Sequence, residues 1–325
     1  MPVRVAVDAL GGDRGPLEIV SGARDAASAE LTPVIFGPAE LDTLGLEHVV
    51  TDGVIEMEDK PADAVRAKPD ASLVRAARAV GDGAADVVVS AGNTGAMLAA
   101  GLLHIRRLPG VHRPGIAVVI PSVKGPLVLI DGGANADARP EHLVQFAHMG
   151  TLFSHDVLGV ATPSVGLLSI GEEAEKGNQL TREAHEALIE ADVRFVGNVE
   201  GRKLLEGGVD VLVCDGFTGN VALKTLEGTI ATLLTSLREE IASTMTGKLG
   251  GLLIRPATRR LRTKLDPDTY GGAYLLGLRG LMVIAHGSSS SQAIANAIRL
   301  GAAGVEHGIV AALAERLPAR TQPQT

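Results

Sequence analysis

The sequence holds no tryptophan, two tyrosines and five phenylalanines in 325 residues. Modules that bind single-stranded nucleic acid stack bases on aromatic side chains, and that platform is missing here. Positive charge is also in deficit. Thirty Lys and Arg against 38 Asp and Glu give a formal charge of −8, the wrong sign for a duplex-binding footprint. The single cysteine, Cys214, excludes an intramolecular disulfide and argues against a structural zinc site. It lies inside the apolar run DVLVCD and reads as a small buried hydrophobe. No continuous apolar run reaches the ~18 residues of a membrane-spanning helix. The opening MPVRVAVDAL lacks a signal-peptide pattern and reads straight into a strand. These absences give the expectation of a soluble, intracellular protein.

Several catalytic motifs are absent as well. There is no G-x-G-x-x-G dinucleotide fingerprint, no phosphate-binding P-loop, no G-x-S-x-G elbow and no H-E-x-x-H. No two of the nine histidines lie within four residues of each other. The acids show no metal-ligand spacing, so neither a metal nor an organic cofactor is expected.

What the chain has in excess is glycine: 40 residues, about 12% against a usual ~7%. A hydrophobic content of 46% excludes general disorder, and no three-residue glycine period indicates a fibre. Short β-branched runs alternate with helical patterns. Strands are expected at 3–8, 86–90, 116–121, 127–131, 164–170, 194–198, 210–215 and 281–286. Helices are expected from Pro16, through GAMLAAGLLHI, and from Pro140 to His155. Continuous apolar strands separated by helices indicate an α/β fold, a mostly parallel sheet covered on both faces. From Gly219 to Met245 the residues Leu223, Leu226, Ile230, Leu233, Leu237 and Ile241 recur at helical spacing, which predicts one long amphipathic helix. A single domain over 1–317 and a frayed tail over 318–325 are expected.

The glycines fall at strand ends: DALGGDRGP, SAGNTGA, DGGANAD, SIGEEAEKGN, GNVEGR, DGFTGN and AHGSSSS. In open α/β sheets ligands bind beyond the carboxyl ends of strands. Glycine lets backbone approach a ligand closely, and the next helix N-terminus offers free N–H groups. Such loops cradle anions. The expectation is a ring of seven loops around one cleft. Tight turns and helix caps are the structural reading of the same polar residues.

These loops, in this order, resemble the bacterial phosphate acyltransferase family. The matching stretches include VAVDALGGDRGP, EMEDKPADAVRAKPDASL, SAGNTGAMLAAG, RPGIAVVIPSVKG, GLLSIGEEAEKGN, FVGNVEGR, VLVCDGFTGNVALKTLEG, YGGAYLLGLRG and AHGSSSSQAIANAI, spanning about residues 3–310. The resemblance implies a fold like that of phosphotransacetylases and isocitrate dehydrogenases. It implies transfer of a long-chain fatty acyl group from acyl carrier protein to inorganic phosphate, in phospholipid (phosphatidic acid) biosynthesis. It further implies a cytoplasmic homodimer peripherally associated with the inner face of the cell membrane, with a membrane glycerol-3-phosphate acyltransferase downstream. A coenzyme A-dependent phosphotransacylase is the alternative enzyme. A decarboxylating dehydrogenase and a non-catalytic scaffold rank below it. Four positions, in three segments, depart from the family pattern. Arg14 stands where His is usual, Ile284 where Lys is common, and DGGANAD carries Gly132 and Ala136. A guanidinium stays charged, so Arg14 cannot be a general base, though it can bind phosphate.

Phosphate attack on a thioester requires an anion site, oxyanion stabilisation and management of a leaving thiolate. Lys176 is the first candidate for a catalytic cation, or else a solvated loop lysine. His286 can shuttle a proton or polarise the thioester, or be a satisfied strand-end residue. Asp215 can orient these groups, as can Asp8 and Asp131, or each can hold loop N–H groups. Asn93, Thr94, Gly95, Asn135, Asn178, Asn198, Thr218, Asn220 and Ser288 are candidate phosphate or thioester contacts.

Residues 245–264, MTGKLGGLLIRPATRRLRTK, carry six basic residues and no acid. Leu249, Leu252 and Leu253, with Arg255, Arg259 and Arg260, are candidates for contact with anionic lipid or acidic carrier protein, on a helical hairpin expected over about 240–270. A dimer-packing hairpin with a solvated basic rim is the alternative. HIRRLPGVHR (104–113) is a second candidate carrier surface.

Overall fold

In the first β-α unit, β1 (Val3–Asp8) leads into α1 (Pro16–Ala26), whose proline occupies the first turn, where a missing N–H costs no hydrogen bond. The computed structural model describes residues 1–265 and 271–320. Next come β2 (Leu31–Gly37), β3 (Glu47–Val50), α2 (Pro61–Ala67), α3 (Ser72–Gly81) and β4 (Val87–Ser90). Helix α4 (Thr94–Ala100) runs on through a π turn, Gly101–Ile105. The middle of the chain supplies β5 (Gly115–Ser122), β6 (Gly125–Ile130), α5 (Pro140–Asp156), β7 (Ser164–Ser169), α6 (Gln179–Ile189), β8 (Arg194–Glu200), α7 (Lys203–Glu206) and β9 (Val211–Val213). The long helices α8 (Gly216–Ala242) and α9 (Met245–Leu265) follow, then β10 (Ala273–Leu276), β11 (Leu281–Ile284), α10 (Ser291–Glu306) and α11 (Ile309–Arg320).

All the named strands join one sheet in the order β3-β2-β1-β4-β11-β10-β5-β6-β9-β7-β8. All eight strands expected from the sequence are present. Three more, β2, β3 and β10, are added. β2 carries Pro33 inside the ladder, paired with Val5, and a proline argues against a strand on sequence grounds. β3 (EHVV) opens on two polar residues and β10 (AYLL) holds no β-branched residue, so neither gives the apolar β-branched run that marked the similarly short β4, β9 and β11.

The sheet reverses direction near its middle. Strand β10 pairs antiparallel with both β11 and β5, and β5 pairs antiparallel with β6. The block β3-β2-β1-β4-β11 is parallel throughout. So is β6-β9-β7-β8, in the opposite sense. The carboxyl ends of the two blocks therefore open at opposite edges. The expected ring of loops is divided into two groups, because three antiparallel pairings separate the blocks.

Both faces of the sheet are buried, which explains the unbroken apolar strands. Val5, Val7, Val87, Val89, Val128, Ile130, Val211 and Val213 face one core, beside α1, α5 and α10. Ala6 and Val88 face a second core with α3 and α4, and Leu127, Leu129 and Leu212 face a third under α8. Leu223 and Leu226 of α8 pack on that third core. Further along, Leu233 is 65% and Leu237 50% exposed, so the expected stripe is covered for only half its length. Helix α9 folds back on α8, with Gly251 against Ile241. The expected hairpin is thus the outer part of α8 with α9. Residues 266–270 of it lie outside the described residues, as do 321–325 of the expected frayed tail, whereas 318–320 belong to α11.

The start of α8 is seated backbone to backbone. A Cβ on Gly219 would stand 1.9 Å from the carbonyl oxygen of Asp131 and 2.9 Å from Cys214 Sγ. Neither neighbour can swing aside. Gly219→Ala is expected to cost at least ~2 kcal/mol in urea unfolding. Gly228→Ala, where a Cβ meets nothing within 4 Å, is expected to be neutral or stabilising by up to ~1 kcal/mol. Equal effects at the two positions would contradict this account.

Candidate active site

Strands β1, β4 and β11 are neighbours, and their carboxyl-end loops touch. Asp8, buried at the end of β1, accepts hydrogen bonds from the Ser72 and Ser90 hydroxyls, both at 2.6 Å. Burial raises its pKa, and the two serines counter that. Asp8 is therefore a strut between β1, α3 and β4. A Cβ on Gly11 would lie 2.7 Å from the Gly92 nitrogen, so these two loops meet through backbone. The Asp13 N–H donates to Gly287 O at 2.8 Å, and Ala285 N–H to Ser90 O at 2.9 Å.

Three helices start at this edge. Asn93 caps α4: its Oδ1 accepts from Ala96 N–H at 3.0 Å and its Nδ2 donates to Met57 O at 2.9 Å. The first-turn amides of Thr94 and Gly95 have no acceptor within the helix. Ser290 caps α10, and Glu18 of α1 accepts from Ser291 N–H at 2.6 Å. Ser288 is exposed just before that cap. Helix N-termini, which favour anions, thus collect at one place, that of α10 already facing the Glu18 carboxylate.

His286 stands at the same edge, its side chain 40% exposed. Its Nε2 lies 3.1 Å from Glu227 Oε1, and Lys224 Nζ lies 2.9 Å from the other Glu227 oxygen. Burial alone would push the Glu227 carboxyl up, but the bonds from His286 and Lys224 outweigh it and hold the pKa below the usual value. The sequence reading passed over both residues. Their signal was helical spacing: Asn220, Lys224 and Glu227 recur at i, i+4 and i+7.

The second group forms at the carboxyl ends of β6, β9 and β7. Asp131, with no exposed surface, accepts from Ile116, Gly133, Ala134 and Asn135 N–H and from Asn135 Nδ2, at 2.8–3.0 Å. Asn135 Nδ2 also donates to Pro114 O at 2.7 Å, so both its amide hydrogens are held within the loop. Asp215 caps α8, accepting from Thr218 N–H at 2.8 Å and from its hydroxyl at 2.7 Å. Asn220, exposed, lies over Gly133. Asn178 caps α6. Asn198 is buried, shares a 2.9 Å contact with His185 Nδ1 and donates to Glu173 O at 2.7 Å. Lys176 is exposed in that same loop. Among the described residues, no hydrogen bond or ion pair joins Lys176 to His286. Cys214 is buried, and desolvation, then Asp131 and Asp215, push its thiol well up, as suits an inert residue.

The departures from the family pattern have local settings. Arg14 is exposed at the first group. Ile284 is buried between Ala273 and Ser90. A Cβ on Gly132 would stand 2.7 Å from Val118 Cγ2, so a larger residue here requires a different neighbour. Away from both groups, Leu249, Leu252 and Leu253 are 65%, 64% and 79% exposed, with Arg255, Arg259 and Arg260 exposed behind them. In the second basic segment Arg106, Arg107 and Arg113 are all exposed, and Arg107 also donates to the carbonyls of Val111 and His112.

The Glu227 contacts predict a pH dependence. A depressed carboxylate pKa stabilises the fold above its unfolded value, and that stabilisation is lost as pH falls through the folded value. Wild type is expected to be more stable than Glu227→Gln at neutral pH in urea melts, with the gap closing in acid. A gap that persists in acid would contradict the assignment.

Comparison with known proteins places the chain in a family. Residues 3–312 match the family model described as "Fatty acid synthesis protein". A phosphate acyltransferase of Heliobacterium modesticaldum is 45% identical, with 99% of each chain covered. One of Pelotomaculum thermopropionicum is 46% identical over 95% of this chain and 93% of its own. Among solved structures, a branched-chain phosphotransacylase from Enterococcus faecalis superposes with a TM-score of 0.62 at 17% identity, covering 94% of this chain and 99% of that one. A phosphotransacetylase from Streptococcus pyogenes gives 0.61 at 15% identity, covering 94% of each. These two show the shared fold. The family match over residues 3–312, with 45% and 46% identity to phosphate acyltransferases over nearly the full length, leads to one conclusion: the chain belongs to the fatty acid synthesis protein family of phosphate acyltransferases and is an acyltransferase enzyme.

Proposed function

We propose that the acyl donor is a long-chain acyl thioester of acyl carrier protein, and that the acyl phosphate formed feeds phospholipid (phosphatidic acid) synthesis. One observation carries the choice of site: the loops after β1, β4 and β11 meet, three helices begin there, and His286 stands among them. Near neutral pH phosphate is already an anionic nucleophile. Its oxygen forms the new C–O bond to the thioester carbon, and the C–S electron pair leaves on sulfur. The proton of hydrogen phosphate must end on that thiolate for the charges to balance. His286 is a suitable relay, taking the proton from phosphate and giving it to sulfur. The first-turn amides of α4 hold the anion and the developing oxyanion. Asn135, Asp215, Asn178 and Asn198 have their side chains engaged within their own loops, so in this reading they shape the second group. Lys176 is exposed on that side, where it can meet substrate.

The outer surfaces support the rest of the reading. The exposed leucines of α9 and the arginines behind them suit contact with an anionic membrane, at roughly 1 kcal/mol per basic residue. The uncovered stripe around Leu233 and Leu237 suits a second copy of the chain in a homodimer. Among the described residues no single helix is long and apolar enough to cross a membrane. With the exposed leucines and arginines of α9 as membrane contact, the proposed location is the cytoplasmic face of the cell membrane, beside the acyltransferase that uses the product.

Three measurements test this. Incubation with long-chain acyl carrier protein should release free carrier only when phosphate is present. Release with coenzyme A thioesters alone would replace the donor. His286→Ala should lower turnover at least about tenfold, and near-normal turnover would remove the relay. A Leu252→Glu, Leu253→Glu double variant should lose cosedimentation with anionic vesicles, and binding equal to wild type would remove the anchor.

A further inference from the structure

Glu227 has no counterpart among the residues singled out from the sequence, yet it makes the contact that joins α8 to the β1–β4–β11 edge. It lies 59 positions from His286 in the chain, and its two oxygens are divided between His286 Nε2 and Lys224 Nζ. The contact is half-sheltered, with Glu227 at 21% and His286 at 40% side-chain exposure. Its geometry is fixed from a distance. The start of α8 is held by the Asp215 cap and by the close approach of Gly216 and Gly219 to the Asp131 loop. Glu227 follows twelve residues later, about 18 Å along the axis at 1.5 Å per residue. Leu223 and Leu226, packed on the core under α8, set the rotation of the helix. A lone surface ion pair would need none of this support.

A neutral imidazole has two tautomers and can flip, and a relay works only if the correct nitrogen carries the lone pair. We propose that Glu227 is a positioning residue: its carboxylate holds the Nε2–H of His286 and leaves Nδ1 as the atom that moves the proton. This rests on the reading of His286 as the relay. In the step, Nδ1 takes the proton of hydrogen phosphate as the C–O bond forms and returns it to sulfur as the C–S bond breaks. Nε2 keeps its hydrogen throughout, and the carboxylate faces the transient imidazolium charge. The arrangement follows the logic by which a buried carboxylate orients the histidine of a hydrolase triad. Against burial, the bond to His286, with that to Lys224 beside it, holds the carboxyl below its usual pKa. Two further acids border this loop: Asp13, whose carboxylate packs over Gly287, and Glu18, which accepts from Ser291 N–H.

The test combines steady-state kinetics with nitrogen-15 spectra of the His286 ring, assigned with His286→Ala. Wild type should show one dominant Nε2–H tautomer. Glu227→Ala should mix the tautomers and lower kcat about tenfold, with KM for phosphate changed less than about twofold. Glu227→Gln keeps an acceptor oxygen, so it should keep the tautomer and recover part of kcat. Wild-type tautomer and kcat in Glu227→Ala would overturn the proposal. If Glu227→Ala fails to fold by circular dichroism, the Gln variant decides, and loss of its single tautomer would overturn the proposal. If His286→Ala keeps normal turnover, the relay reading fails, while the ring spectra still report whether Glu227 holds the imidazole.

Discussion

A carboxylate cut off from water governs this structure. Asp131 accepts five hydrogen bonds, four from backbone amides and one from Asn135, and no surface of it is exposed. An unpaired charge buried there would be very costly, so the loop closes around it. The closed loop presents Asn135 backbone to Gly216 and the Asp131 carbonyl to Gly219, and that seats the first turn of α8. The helix then crosses the sheet and delivers Glu227 to His286. A residue at one edge of the sheet thereby sets a contact at the other.

Much of the fold was legible. The eight apolar strands were visible because both faces of the sheet are buried, which writes Val and Ile at consecutive positions. The reversal of the sheet was not. It depends on β10, which holds no β-branched residue, and on long-range pairing that composition does not encode. The family was recognisable from its motif strings, and the near full-length relatives agree with it.

The site was legible in its parts, and its assembly was hidden. Glycine at strand ends marked both loop groups, but sequence spacing cannot tell which edge a loop occupies. The asparagines illustrate the difficulty. Asn93, Asn178 and Asn198 carry side chains suited to phosphate, and each has an equally ordinary task as a cap or a loop tie. Only three-dimensional accounting shows where their hydrogens go. Glu227 was missed for the opposite reason. On a helix dense with polar residues an acid beside a lysine looks like a solvated pair, until a histidine 59 residues away supplies the third member.

The account turns on which edge of the sheet holds the phosphate. A crystal structure of the enzyme with phosphate and a non-hydrolysable acyl carrier thioester analogue answers this directly. The anion is expected among the loops after β1, β4 and β11, within hydrogen-bond reach of the first turn of α4 and beside His286. An anion seated instead between the Asp131 loop and the start of α8, away from His286, would contradict it.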